Sequence, residues 1–236
     1  MIVDFHSHIL PEIDDGSRNV EMSIAMLRAE AAQGIRTVIA TPHFYPRYET
    51  PEHFLEKRKR AVQRLREAMG MHGDLPEIQV GAEVYFFPGI SESEVLSQLT
   101  IGGKGCILLE MPPPPWTQSM YREIEGIFEK QGITPIIAHV DRYIRPLKTH
   151  GIPEHLAQLP VLVQANAGFF QRMPTRSMAL NLLKQDEIHL LGSDCHNLDT
   201  RAPNLGRTVE IIRKKCPEAC LNRICSYQDE VLNNNA

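Results

Sequence analysis

No stretch of the 236 residues approaches the apolar length needed to span a bilayer. The opening MIVDFHSHIL lacks the charged-then-apolar profile of a secretion signal. No membrane insertion and a cytoplasmic location are therefore expected. Cysteine is scarce and odd in number: Cys106, Cys195, Cys216, Cys220 and Cys225. In a chain without a secretion signal that count argues against disulfides. The last three follow x3 and x4 spacings, not the paired CxxC of a zinc knot, and read as small buried side chains or free thiols. An excess of positive charge is also missing. The net charge is −4 and the pI about 6.2, which argues against nucleic-acid binding through a phosphate-neutralising surface. Linkers, internal repeats and low-complexity segments are absent apart from the terminal NNNA, and residues 227–236 are expected to form a flexible tail. Nothing in the sequence speaks to oligomeric state.

What remains is an ordinary globular composition, 42% hydrophobic and 23% charged. A chain of this length buries roughly 70% or more of its unfolded surface, so the core needs no staples. Short aliphatic runs recur at Met1–Phe5, Thr37–Thr41, Ile78–Ala82, Cys106–Leu109, Thr134–Ala138, Val161–Ala165 and Ile188–Gly192. Each reads as a strand buried on both faces. Helical patterns lie between most of them, at Val20–Gln33, Glu52–Met71, Ser119–Gln131, Thr175–Lys184, Asn204–Lys214 and Pro217–Cys225. The charge run EKRKRAVQRLREAM reads as a solvated outer helix face. Strand–helix alternation implies right-handed βαβ units and a parallel sheet. Seven such units in one domain, 1–236, predict an α/β fold: a distorted, TIM-like (β/α)7 barrel, with an open doubly wound sheet as the alternative.

Chemistry collects directly after these strands. The first runs into His6, His8 and the pair Asp14-Asp15; the second into His43; the third into Glu83; the fourth into Glu110. The fifth ends at His139 with Asp141 and Arg142 beyond it, the sixth at Asn166, and the last at Asp194-Cys195-His196. In a parallel barrel all strands open their C-terminal ends on one face, where such enzymes keep their chemistry. His6, His8, His43, Glu83, Glu110, His139, Asp194 and His196 are therefore expected to converge. Singly, each is an ordinary satisfied polar residue. Together they are a ligand set for manganese, iron or zinc, because no packing requirement puts imidazoles and carboxylates at successive strand ends. The set exceeds what one ion takes and suits two or three. Such clusters supply a nucleophile at neutral pH by lowering the pKa of water, a usual device of phosphoester hydrolysis. His53, His72, His150, His155 and His189 fall outside the pattern and read as surface or structural.

The pieces DFHSHILPEIDDG, TPH (41–43), GAEVYF (81–86), LLEM (108–111), AHVDRY (138–143), QANAG (164–168) and GSDCHNLDTR (192–201) span nearly the whole chain. In these the sequence resembles the polymerase and histidinol phosphatase (PHP) superfamily. Within it the chain is most similar to the manganese-dependent protein-tyrosine phosphatases of bacterial capsule and exopolysaccharide synthesis. The resemblance implies three ions. His6, His8, Glu83 and Asp194 would hold the first; Glu83, Glu110 and His139 the second; Asp15, His43 and His196 the third. Asp15 is taken before Asp14 because the family's ligand directly precedes the glycine. Arg142 and Arg201 match the arginines that contact the substrate phosphate. The implied cofactor is Mn²⁺, with Fe or Zn possible in the same site. The implied partner is a phosphotyrosine protein, the tail of a bacterial tyrosine kinase. Asp141, where several relatives carry Glu, and Cys195 depart from the pattern, and neither removes a ligand.

A guanidinium fork grips two phosphate oxygens at once, which suits Arg142 and Arg201 to stabilising charge in an in-line transfer. Tyr45, Arg47, Tyr48, Phe86 and Phe87 follow other strand ends and line the mouth or make ordinary loop contacts. Besides a PHP nuclease, which the acidic balance disfavours, three other readings stand beside this one. Cys195 to Arg201 has the C-x5-R spacing of thiol phosphatases, but lacks the glycine that such a phosphate loop needs. A small-molecule phosphatase acting on histidinol phosphate would use the same site. A metal-binding regulatory module without turnover is the third, and the intact ligand set argues against it.

Overall fold

Each aliphatic run becomes a parallel strand because its side chains find apolar partners on both faces. The computed structural model describes residues 2–145 and 148–233. Its strands are β1 Asp4–Ser7, β2 Thr37–Ala40, β3 His43–Phe44, β4 Glu77–Val80, β5 Glu83–Tyr85, β6 Cys106–Glu110, β7 Thr134–Ile137, β8 Leu162–Asn166 and β9 Leu190–Gly192. All seven predicted strands are present. The two extra ones, β3 and β5, continue β2 and β4 after a break. Pro42 cannot donate to a ladder, so β2 stops at Ala40 and pairing resumes at His43. The bonds Gly81 N to Ala40 O (2.9 Å) and Glu83 N to Pro42 O (3.0 Å) carry the register across the break.

Hydrogen bonding runs β1-β2-β4 in one sheet and β3-β5-β6-β7-β8-β9 in the other, every pair parallel. Beyond the strand ends β9 meets β1 through the Ser7–Cys195 bridge, with Asp194 N donating to His6 O at 2.7 Å and His8 N to Cys195 O at 2.9 Å. The β2/β3 and β4/β5 pairs each act as one broken strand, and the ring has seven members: a distorted (β/α)7 barrel. Inside it lie Phe5, Ile39, Leu108, Ile136 and Leu190, and a larger cluster fills the space between sheet and helices.

Local sequence signals hold where a cap is present. Asn19 accepts from Met22 N at 2.8 Å to start helix 20–32, and Thr50 accepts from His53 N at 3.3 Å ahead of Pro51 at the start of helix 51–69. The charged helix turns Phe54, Ala61 and Leu65 inward. One expectation is corrected. The final helix runs from Glu218 to Asn233, so residues 227–233 are not a tail. Gln228 is buried and pairs with the Val3 backbone at both ends of its amide (3.3 and 3.4 Å), and Val231 joins the barrel interior. The polar YQDEVLN string hides this, because only Gln228 and Val231 of it are fully buried, with Tyr227 and Leu232 packed beside them. Residues 234–236 lie outside the described residues. No helix among the described residues is long and apolar enough to cross a membrane.

Candidate metal centre

The strand ends bring all nine expected ligands together. His6 Nε2 and His8 Nε2 are 3.1 Å apart. Both face Glu83 Oε2, at 3.1 and 3.3 Å, and Asp194 Oδ1, at 3.6 and 3.5 Å. Beside them, His139 Nε2 lies 2.7 Å from Glu83 Oε1 and 3.6 Å from Glu110 Oε1. On the other side, Asp15 Oδ1 lies 3.4 Å from both His43 Nε2 and His196 Nε2. His43 faces two ways, its Nδ1 being 2.9 Å from Glu83 Oε2. Glu83, His6, His8 and His139 are fully buried, and Asp15 is the exposed member.

This donor set fits divalent ions. Ligands bonded at about 2.0–2.1 Å to one ion sit about 3.0–3.4 Å from one another in octahedral or tetrahedral array. The His6, His8 and Glu83 spacings fall in that range. With the Nδ1 protons of His8 and His6 directed at the Asp14 and Gln164 oxygens, two Nε2 lone pairs face each other at 3.1 Å, an arrangement that a cation between them relieves. Glu83 Oε2 and His196 Nε2 are buried without an aligned hydrogen bond. Four closely spaced carboxylates and no thiolate select a hard or borderline metal.

The electrostatics reflect the crowding. Burial alone would raise the Glu83 carboxyl, but His6 and then His139 hold it well below its ordinary value. Burial likewise opposes ionisation of Asp194, and His6 and His8 override it. Burial pushes His196 down to about 4, helped by the charge on His8. Two of the expected ligands sit in left-handed backbone, His139 at φ +32° and Asp194 at φ +53°. Such strain in residues other than glycine persists where the surrounding structure fixes it, and it gathers at functional sites.

An outer ring orients the ligands. Asp14 Oδ2 takes His8 Nδ1 at 2.8 Å and the His43 backbone N at 3.1 Å, leaving His8 Nε2 for the centre. Gln164 Oε1 accepts from His139 N at 2.6 Å and faces His6 Nδ1 at 3.3 Å. Asn166 Nδ2 donates to Asp194 Oδ2 at 2.9 Å, and its own N donates to Asp141 Oδ1 at 2.9 Å. Sequence reasoning passed over Asp14 and Gln164. Their signals were the doubled acid before Gly16 and the amide inside an aliphatic strand. Partners of this kind fix the tautomer of a ligating imidazole.

Arg142 and Arg201 stand at the mouth, about one-third exposed or more, and converge on one carboxylate. Arg142 reaches Asp194 Oδ2 at 2.5 Å and Glu110 at 3.4 Å; Arg201 reaches Asp194 Oδ1 at 2.7 Å. The thiol reading fails here. Cys195 is fully buried with its Sγ near the Asp4 and Glu30 carboxyl groups, and burial holds its thiol well above the ordinary value. No disulfide joins any of the five cysteines, all of them among the described residues. Of the histidines set aside, His53 pairs with Glu49 at the surface, His155 stacks on Tyr121, and His189 Nδ1 accepts from Val163 N.

Several known proteins are similar to this chain. Tyrosine-protein phosphatase CpsB of Streptococcus pneumoniae is 29% identical over 224 residues, covering 91% of this chain and 90% of that protein. Tyrosine-protein phosphatase YwqE of Bacillus subtilis is 28% identical over 223 residues, covering 91% and 85%. A solved structure from work on YwqE and CpsB as unique metal-dependent tyrosine phosphatases superposes with a TM-score of 0.85 at 25% identity, covering all of this chain and 96% of that one. Residues 2–233 match the family described as capsular polysaccharide synthesis, CpsB/CapC. With nearly its whole length matched, the chain belongs to the CpsB/CapC capsular polysaccharide synthesis family.

Proposed function

We propose that this protein is a metal-dependent phosphatase acting on phosphotyrosine in a protein substrate. The observation that carries the reading is the convergence of Arg142 and Arg201 on Asp194, directly over the clustered donors. Bound divalent ions, with manganese preferred and iron or zinc suited to the same donors, would supply a nucleophile near neutral pH and positive charge beside the phosphate. His6, His8, Glu83 and Asp194 would hold one ion, Glu83, Glu110 and His139 a second, and Asp15, His43 and His196 a third. Arg142 and Arg201 would leave Asp194 for the phosphate oxygens, and their planar forks would spread the charge that grows there during in-line transfer. Asn166 would keep Asp194 oriented once the guanidinium groups move. A tyrosine leaving group has a pKa near 10, so its departure needs less protonation than an alkoxide.

The phosphatase names of similar proteins support a phosphotyrosine protein as the substrate; in this reading that protein is the tail of a bacterial tyrosine kinase, met in the cytoplasm. The test is turnover by metal-stripped protein of a phosphotyrosine peptide and of histidinol phosphate, with and without added Mn²⁺. Metal-dependent hydrolysis of the peptide is expected, kept in Cys195→Ser and lowered about 10²–10³-fold in Arg142→Ala. A preference for histidinol phosphate would overturn the substrate. Activity that survives chelation and dies with Cys195 would overturn the mechanism.

A further inference from the structure

The turn after β3 and the end of β5 build an aromatic corner against one side of the metal centre. Tyr45 anchors it. Its hydroxyl donates to Glu110 Oε2 at 3.1 Å and faces His43 Nδ1 at 3.2 Å, so the ring is pinned to two ligands. Tyr85 lies opposite Glu110 in the β5–β6 register, and its ring centroid is 5.5 Å from that of Tyr45. Tyr48 meets Tyr45 edge-on at 6.2 Å and is 78% exposed. The Arg47 guanidinium sits 6.0 Å above the outer face of Tyr48. Tyr48 thus leaves a large aromatic face open to solvent beside the charged centre.

We propose that Tyr45, Tyr48 and Tyr85 form the slot that takes the aryl ring of the substrate, and so select aryl over alkyl phosphates. The inference rests on the phosphatase reading of the site. Tyr45 fixes the inner end of the slot beside the donors, and Tyr48 and Tyr85 supply π faces further out. Offset and edge-to-face ring pairs contribute beyond their buried area. Charge complementarity fits the same occupant. Arg142 and Arg201 meet the phosphate beside the metal donors, and Arg47 adds a cation for an acidic residue flanking phosphotyrosine.

The test uses two ligands that are not hydrolysed, phenylphosphonate and methylphosphonate, titrated into Mn²⁺-saturated full-length protein by calorimetry. Wild type is expected to bind the phenyl compound at least tenfold more tightly. Tyr48→Ala and Tyr85→Leu are each expected to shrink that ratio by about fivefold to tenfold, while Tyr85→Phe keeps it, since the ring and not the hydroxyl is at work. Far-UV spectra and bound metal, measured on each variant, separate a lost slot from a lost fold. Equal affinity of wild type for the two phosphonates, or a ratio unchanged in both ring-deleting variants, overturns the slot. If wild type binds neither compound, the phosphatase reading falls and the slot with it.

Discussion

Asp14 and Asp15 stand side by side and do different work. Asp15 is 66% exposed and points its carboxylate at His43 and His196. Asp14 is turned inward, and although burial alone would raise its carboxyl, the paired His8 imidazole holds it far below the ordinary range. The same pairing raises His8 well above its usual value against the effect of burial. With metal bound, Asp14 would keep the proton on Nδ1 and the lone pair on Nε2. Asp14→Asn is expected to weaken metal binding about 10–100-fold while leaving all nine donors in place. Competition with a chelating dye measures it, and unchanged affinity would refute the orienting role. The family resemblance, through the glycine that follows, marks Asp15 and not Asp14 as the expected ligand. It gave no hint that the other acid grips a histidine six residues earlier, because that contact depends on how the loop folds back.

Strand ends are where the element scale decides the site. The strands are legible from aliphatic runs, and the strand-end rule points to eight of the nine expected donors; Asp15 comes only from the family resemblance. The breaks after β2 and β4 were less legible. The aliphatic runs put His43 and Glu83 just past a strand, whereas each opens a short second one. Pairing of the next residues at this register turns His43 and Glu83 toward each other. The approach of β9 to β1 was hidden altogether, since it depends on ring closure. A Cβ at Gly192 would stand 2.5 Å from His6 Cβ and 2.7 Å from Gln164 Nε2. Gly192→Ala therefore forces apart the strand that carries His6 and the strand that leads into Asp194. The expected result is a loss of about 1–3 kcal/mol of stability together with metal bound at the first ion's site. Urea unfolding and metal content check both, and a variant with normal metal content would show that the contact has room to yield.

At the scale of the whole molecule, the barrel carries a charge problem away from the metal face. Glu30 of helix 20–32 is fully buried beside Asp4 of β1. Asp4 Oδ1 is accounted for by Ser193 N at 2.8 Å and His6 N at 3.2 Å, but Asp4 Oδ2 and both Glu30 oxygens are buried without an aligned partner. Burial first, and the Asp4 charge second, push the Glu30 carboxyl up to about 10 from its ordinary 4.5. The folded chain thus keeps a proton that the unfolded chain releases above pH 4.5. A raised folded-state pKa gives stability that is full below the unfolded value and is lost as pH rises toward the folded one. The Glu30 contribution to the slope reaches about 1.4 kcal/mol per pH unit across that window. Glu30→Gln keeps the shape and an N–H donor toward Asp4 but carries no titrating proton. Its stability relative to wild type is therefore expected to climb steadily between pH 5.5 and 8.5. Urea unfolding of both proteins under identical metal conditions reads this difference, from which the shared histidine titrations cancel. A gap that stays constant with pH would mean that Glu30 is ionised in the fold, and that Asp4 and its surroundings tolerate two negative charges.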